Sequence, residues 1–410
     1  MRKHLFTLLF ALCILSACGG KGPQELFIID IEKSAENIDL TLSDILEDLS
    51  IVALETSDDV LISGYSGTFV TDKYILATGE SHIHLFDKEG RHIKKLLYKG
   101  NGPNEYLNIN AYCMDEEKGI LYYTETQKKQ SIFRVSLPDG TFLEPLSLPF
   151  QNVHLQTMDK EGFLYFFPKY SGLWIGNSGE GSDSSSVLIR YHPVTESFQA
   201  YLGSHPYETG SYGYSLTHYK GKVSMFNFCY SDTLFNMTSE GLVPRAYFPL
   251  KDKIKSLILG ANKGQELLLR LSYKNGDIMS LSQIKMDFET SASGQIGMNM
   301  STDAKAYYLF NKQGELQNIS NIHITPLSWN VNISKYLNKA GDKDERLIPP
   351  IPIVSGNWGY ISVSAVNMIS ILEKTLEQKG LSSAQTQKLR ELEALLTDDS
   401  NPVLILGRLK

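Results

Sequence analysis

His82 and His84 are the pair whose type and spacing come nearest to chemistry. Positions i and i+2 of an extended chain face the same side, so two imidazoles so placed can share a transition metal. No third ligand is recognisable by spacing, so the pair reads as a polar strand face, with no metal and no cofactor assigned. Adjacent carboxylates occur at Asp58-Asp59, Glu116-Glu117 and Asp398-Asp399. A glycosidase needs two carboxyl groups facing each other at about 5–10 Å, whereas neighbours in turn-like segments read as solvated charge. Gly100-Asn101-Gly102 has the small residues of a phosphate loop, but Pro103 removes a backbone donor and no helix follows. The stretch reads instead as a tight inter-strand turn with Glu105 bonded to its backbone. No nucleophile elbow, zinc-protease or nucleotide motif is present, and no catalytic residue is assigned. The aromatic residues are more suggestive. Tyr170, Trp174, Tyr207, Tyr212 and Tyr214 flank Gly/Ser-rich loops, and Trp358-Gly359-Tyr360 reads as another loop. Trp174, Tyr212, Tyr214 and Trp358 are candidates for stacking on a sugar or peptide. The alternative is that these rings pack between sheets.

Such residues need a scaffold, and the chain supplies a β-rich one. It has 410 residues, of which 42% are hydrophobic, 10% aromatic and 21% charged, which fits a folded globular chain and excludes disorder. The formal charge of −7 argues against nucleic acid as a partner, since a polyanion needs a basic surface. From about Leu26 to Pro326 short β-prone runs are separated by turn residues. One unit recurs: a strand with an aromatic or aliphatic end, a polar turn, and a second strand. Its turns fall at Gly90, Gly140, Glu196, Gly241 and Gly314, at intervals of 50, 56, 45 and 73 residues. Spacing near ~40–50 residues suits the four-stranded blades of a propeller, whose radial packing buries both faces of each sheet. The Gly/Ser-rich stretch 171–186 reads as a loop within the third unit. Near the carboxyl end the pattern becomes helical. Ala365, Met368, Ile369, Leu372 and Leu376 share one face, and Ser382 or Ser383 can cap a second helix. A helical hairpin insertion is expected at about 364–397, and Val403-Leu404-Ile405-Leu406 is a last strand. Its expected partner is the run Leu26–Ile31, which would close the ring.

The first residues read as an address. Arg2, Lys3 and His4 precede an eleven-residue apolar run from Leu5 to Leu15, the length of a signal-peptide core rather than a membrane span. Leu15-Ser16-Ala17-Cys18 resembles a bacterial lipobox. That resemblance implies cleavage after residue 17, acylation of Cys18 and anchoring in a lipid bilayer, with 18–25 as tether and 26–410 as the folded unit. Losing the first 17 of 410 residues leaves 393, and losing Arg2 and Lys3 moves the charge from −7 to −9. In some bacterial groups acidic residues just after the lipidated cysteine mark export to the cell surface; none occurs before Glu25, so the resemblance implies the periplasmic face of the outer membrane. Cys113 and Cys229 remain, in apolar contexts that suit buried free thiols; the alternative is a disulfide between them in an oxidising periplasm.

The motifs Leu54-Glu55-Thr56, Phe86-Asp87-Lys88-Glu89-Gly90, Gly100-x-Gly102-Pro103-x-Glu105-Tyr106 and Asn401-Pro402-Val403 together resemble the six-bladed, NHL-like β-propeller lipoproteins of Bacteroidetes. Asp232-Thr233-Leu234-Phe235 fits the same pattern; Asn104, where that group often has Gly, and the Gly-less third turn depart from it. The resemblance implies an all-β, six-bladed β-propeller with a small C-terminal helical insertion, held in the cell envelope. Gly100, Gly102, Pro103, Glu105 and Tyr106 are read as structural. The function expected is a non-catalytic module binding a glycan, a peptide or an envelope protein. The alternative is an envelope hydrolase or lyase acting on a glycan or lactone at the propeller pore.

Overall fold

Runs of Val, Ile, Leu and aromatic residues form strands because branched and ring side chains pack well on a pleated surface, and Asp, Gly and Pro end them. The computed structural model describes residues 26–28, 35–62, 67–79, 82–102, 104–128, 130–151, 153–168, 173–175, 181–182, 186–202, 214–219, 222–227, 233–239, 241–247, 265–273, 277–290, 296–310, 316–324, 329–332 and 353–410. Cys18, Pro103, Tyr212, Cys229 and Gly314 lie outside the described residues.

Four sheets follow one another along the chain. Blade 1 holds Thr68–Val70, Tyr74–Thr78, His82–Asp87 and His92–Lys99, with Glu105–Tyr106 added in parallel. Blade 2 holds Ile109–Asp115, Ile120–Glu125, Ser131–Ser136 and Thr141–Ser147. Blade 3 holds Val153–Met158, Leu164–Pro168, Ser186–Tyr191 and Phe198–Leu202. Blade 4 holds Tyr214–Tyr219, Lys222–Asn227, Thr233–Thr238 and Gly241–Tyr247. A closing blade combines Ile353–Ser355, Trp358–Val363 and Val403–Leu409 with Leu46–Ala53 from the other end of the chain. Neighbouring blades meet through their inner strands, Ile109–Asp115 against Val153–Met158 and Val153–Met158 against Tyr214–Tyr219, and the second strand of the closing blade, Trp358–Val363, meets Thr68–Val70. The arrangement is all-β and propeller-like, with few helices.

Five blades of four or five strands therefore stand where six were expected. The departure lies in residues 265–332, whose central strands Asp277–Thr290 and Ile296–Phe310 run to 14 and 15 residues, far beyond the ordinary 5–6. They belong to a six-stranded sheet that also takes in Ala35–Thr41. A small three-stranded sheet (Phe150–Gln151, Leu173–Ile175, Gly181–Ser182) is separate from the blades.

Chain ends do meet in one blade, though not through the strand expected. Leu46–Ala53 pairs antiparallel with Val403–Leu409, Leu46 opposite Leu409 and Ala53 opposite Val403. Phe27–Ile28 pairs in parallel with the last strand of blade 4 instead. Burial explains the choice: Leu46 is inaccessible, whereas Ile28 is 65% exposed and suits an edge.

Asn401 fastens this closure. Its Oδ1 accepts from Ile62 N at 2.7 Å, and its Nδ2 donates to Glu55 O at 2.6 Å and Val60 O at 2.8 Å. Glu55 N in turn donates to Gly90 O at 2.8 Å. Gly90 has φ +86°, and a Cβ there would collide with Ala53 O. Three of the motifs therefore meet at one seam between the closing blade and blade 1. Glu196, in the turn lacking glycine, also takes a left-handed backbone, with φ +55°.

Helix α1 (Leu42–Ile45) precedes the closing strand; α2 (Ala365–Leu376) and α3 (Ser383–Ala394) form the helical hairpin. Ser364 caps α2, and Ser382 caps α3 in a box with Gln385. Met368, Ile371, Leu372 and Leu389 pack with Leu42, Ile45, Ile361 and Val403, so the hairpin covers the closing blade. Cys113 is a free, buried thiol.

Candidate functional site

The inner hairpin turns of the closing blade and blades 1 to 3 come together, and each has a local reason for its shape. Asp115 ends the inner strand of blade 2; its Oδ1 accepts from Lys118 N at 3.0 Å and its Oδ2 pairs with Lys118 Nζ at 2.9 Å. Asp159 follows the inner strand of blade 3, and its Oδ1 accepts from Glu161 N at 2.9 Å and Phe163 N at 3.0 Å. In blade 1 the same device uses Thr71, whose Oγ1 accepts from Tyr74 N at 2.9 Å. Short side chains that accept from the backbone one turn ahead select such turns. The closing blade contributes Gly356-Asn357.

These turns line one cavity of about 370 Å³. Asp72 comes from blade 1, Asp115, Glu116, Glu117 and Lys118 from blade 2, and Asp159, Lys160 and Glu161 from blade 3. Six carboxylates thus face two lysines. Glu116-Glu117, read from sequence as solvated charge, lines this cavity, while Asp58-Asp59 and Asp398-Asp399 are exposed.

Two cation–aromatic assemblies flank the cavity. On one side Trp358 Nε1 donates to Asp72 Oδ1 at 2.9 Å, and Arg408 Nη2 lies 3.4 Å from the same oxygen. Lys88 Nζ sits 3.3 Å from the Trp358 ring centroid and donates to Thr71 O at 3.0 Å. Asp72 N donates to Glu116 Oε2 at 3.1 Å. Burial pushes the Lys88 amine down to about 8 despite the opposing fields of Asp72 and Glu116. Burial also raises the Glu116 carboxyl above its ordinary range. On the other side the Arg190 guanidinium lies 3.4 Å from the Phe163 centroid. It donates to Asp159 Oδ2 at 3.1 Å, Glu161 Oε2 at 2.8 Å and Tyr165 OH at 3.0 Å. Tyr165 OH donates to Asp159 Oδ2 at 2.8 Å. Neither Lys88 nor Arg190 stood out in the sequence, one being an ordinary turn residue and the other an interruption in an apolar strand.

The residues singled out from sequence lie elsewhere, with one exception. Trp358 sits in the strand Trp358–Val363 rather than a loop and is only 6% exposed, its ring packed with Lys88. Trp174 falls in Leu173–Ile175 and Tyr214 opens Tyr214–Tyr219; their side chains are outside the described residues. At the rim of blade 1, Gly100 N donates to Tyr106 O at 2.9 Å and Gly102 N to Glu105 Oε2 at 2.7 Å. A Cβ at Gly100 would collide with the Glu105 carboxylate, so the carboxylate and the glycine require each other. His82 and His84 share a strand, with ring centroids 5.8 Å apart. His92, which spacing did not suggest, brings Nε2 to 3.2 Å from His84 Nδ1. Burial, and then His92, push His84 down to about 4. Among the described residues no group of three His, Cys, Asp or Glu side chains is placed to hold a metal ion.

A family model described as a domain of unknown function (DUF4934) matches residues 26–408. No curated protein matches the chain. A solved Bacteroides fragilis structure, described as a "putative exported protein", is similar at 14% identity and a TM-score of 0.57, covering 93% of this chain and 100% of that one. At that identity the likeness speaks for the fold. A structure of Kuenenia stuttgartiensis hydrazine synthase aligns at 9% identity and a TM-score of 0.36, covering 87% of this chain and 90% of that one; it carries no argument here.

Proposed function

The chain belongs to the DUF4934 family, and we propose that this member is a non-catalytic, envelope-anchored binding module. Its binding site is the acidic cavity at the inner hairpin turns, and its ligand is a donor-rich, cationic segment of a peptide or envelope protein. The supporting observation is the cavity of about 370 Å³ in which turns of four blades place six carboxylates against two lysines. The lining is thus acidic on balance, and a cleft with an excess of one sign of charge concentrates ligands of the other sign. In this reading the long-stranded sheet of residues 265–332 takes the sixth place in the ring. Cys18 carries the lipid and holds the protein on the periplasmic side of the outer membrane. The exported Bacteroides fragilis neighbour accords with an envelope address. The alternative, a hydrolase or lyase acting on a glycan or lactone, draws on one observation, the upward shift of the Glu116 carboxyl beside the cavity.

Fluorescence anisotropy with labelled hexalysine tests the binding reading. Hexalysine should bind, weaken steadily as salt rises, and not be matched by labelled hexaglutamate. Equal binding of the two peptides would rule the cavity out as a cation site. The anchor is tested apart: Cys18→Ala should move the protein from the membrane to the soluble fraction, and retention in the membrane would refute lipidation at Cys18.

A further inference from the structure

We infer that a second pocket, where blade 2 faces blade 1, binds a single neutral sugar ring. This goes beyond the cationic-segment reading and does not depend on it. The pocket holds about 240 Å³ and shares no lining residue with the acidic cavity. Strand periodicity builds one wall. Tyr123 and Glu125 lie two apart on Ile120–Glu125 and share a face, and Phe133 stands opposite Tyr123 on the next strand. The Tyr123 and Phe133 rings stack with centroids 5.1 Å apart. On the same face Leu121 and Val135 pack with Leu97 and Tyr106 of blade 1. The turn after blade 1 supplies Asn104 and Glu105, the latter held by Gly102 N at 2.7 Å.

Glu125 is the residue that points to a ligand. Its side chain lines the pocket yet is 1% exposed, and its contacts are long. Oε1 lies 3.3 Å from Lys128 Nζ, and Oε2 accepts from Leu107 N at 3.5 Å. Charge-assisted bonds to a carboxylate are ordinarily about 2.7–2.9 Å, and an ionised carboxyl group can accept about four. Most of its accepting capacity is therefore open. A buried charge so loosely held is costly, and a donor brought into the pocket would relieve it.

The mixture of charges selects a neutral donor. Glu105, Glu125 and Glu144 line the pocket together with Lys128 and Arg134, a closer balance than in the acidic cavity. An anion would meet three carboxylates. Arg134 offers it little, since Nε and Nη2 already donate to Glu144 O at 3.0 and 2.6 Å. A cation would compete with Lys128, whose Nζ sits 4.6 Å from the Phe133 centroid beside Glu125. A hydroxyl carries no charge and both donates and accepts, so it can donate to Glu125 while accepting from Lys128. Phe133 and Phe142 are only partly buried, which leaves ring surface for the apolar C–H face of a sugar. The volume lies below the range of about 300–1,000 Å³ typical of drug-sized ligands, which suits one ring.

The experiment is saturation-transfer NMR on the full chain with D-glucose, D-galactose, D-mannose and N-acetyl-D-glucosamine, beside cationic D-glucosamine and anionic D-glucuronate. At least one neutral sugar should receive saturation, and more of it than either charged one. Transfer to none of the four, or equal transfer to a charged sugar, would overturn the inference. Asn104→Trp, at an exposed turn position, should melt like the wild type and lose the signal. A signal kept by that variant would overturn the placement in this pocket. Glu125→Gln, checked for folding by its melting temperature, should bind about tenfold more weakly through loss of a charged acceptor. Unchanged affinity would overturn the role of Glu125. Hexalysine should leave the sugar signal unchanged, and displacement of the sugar would overturn the existence of a second site. Hexalysine binding and sugar binding are read separately, so failure of one reading is distinguishable from failure of the other.

Discussion

The two flanks of the acidic cavity are built from similar parts and held in different states. Arg190 and Lys88 each lie against an aromatic ring next to carboxylates of the inner hairpin turns. Arg190 is 8% exposed and spends its donors on Asp159, Glu161 and Tyr165. Lys88 shares its surroundings with Asp72, Glu116 and Arg408 but has one hydrogen bond and a ring. A planar guanidinium can satisfy several acceptors at once, whereas an ammonium is a point charge whose pKa moves readily when buried. The first arrangement acts as a strut within blade 3. The second leaves Glu116 on the cavity wall and Lys88 behind it away from their ordinary pKa values, a pattern common at functional sites.

The comparison breaks first on stability. Arg190→Ala should cost about 3–5 kcal/mol in urea unfolding, because it strands the buried Asp159 carboxylate. A loss below about 1 kcal/mol would mean that Arg190 is no strut. Asn401→Ala, remote from both flanks, sets the scale for a purely structural site. Leaving Ile62 N, Glu55 O and Val60 O without their partner should cost about 2–3 kcal/mol. Lys88→Met should cost no more than about 1 kcal/mol, the value of a partly exposed cation–π contact. A loss as large as that of Arg190→Ala would erase the distinction between the flanks.

The comparison also predicts a slope with pH. Burial sets the folded Lys88 near 8, below the 10.5 of an unperturbed lysine. Between these values the unfolded chain holds a proton that the folded chain has released, so stability rises with pH. Below pH 8 both states are protonated and the penalty is fully present. The urea midpoint of the wild type relative to Lys88→Met should therefore climb from pH 8 to 10. Arg190, protonated in both states throughout, adds no slope there. A flat difference would place Lys88 at its ordinary pKa.

Much of the scaffold was legible in the sequence. The recurring hairpins gave an all-β ring because glycine or a polar residue must turn the chain at fixed places. Two of the five turn positions show why spacing was a better guide than residue identity: Gly90 is forced by the nearby Ala53 carbonyl, and Glu196 takes a left-handed backbone without glycine. The closing strand was misplaced because Leu26–Ile31 and Leu46–Ala53 are both apolar runs, and only burial separates them. The cavity was harder to see. Its carboxylates look like solvated turn residues one hairpin at a time, and only the ring brings four turns together. A signal was present in the Asp-x-x-Gly spacing of Asp159–Gly162, which marks a turn shaped by an aspartate. Lys88 and Arg190 carry no such mark, since their roles depend on rings and acids from other strands.

One side-by-side measurement tests the central claim that the Lys88 flank works and the Arg190 flank supports. Hexalysine affinity and melting temperature would be determined for Glu116→Gln and Asp159→Asn. Glu116→Gln should melt like the wild type and bind about tenfold more weakly, a change of about 1.4 kcal/mol. Asp159→Asn should melt lower through loss of its buried ion pair. Wild-type affinity in a folded Glu116→Gln protein would contradict the account.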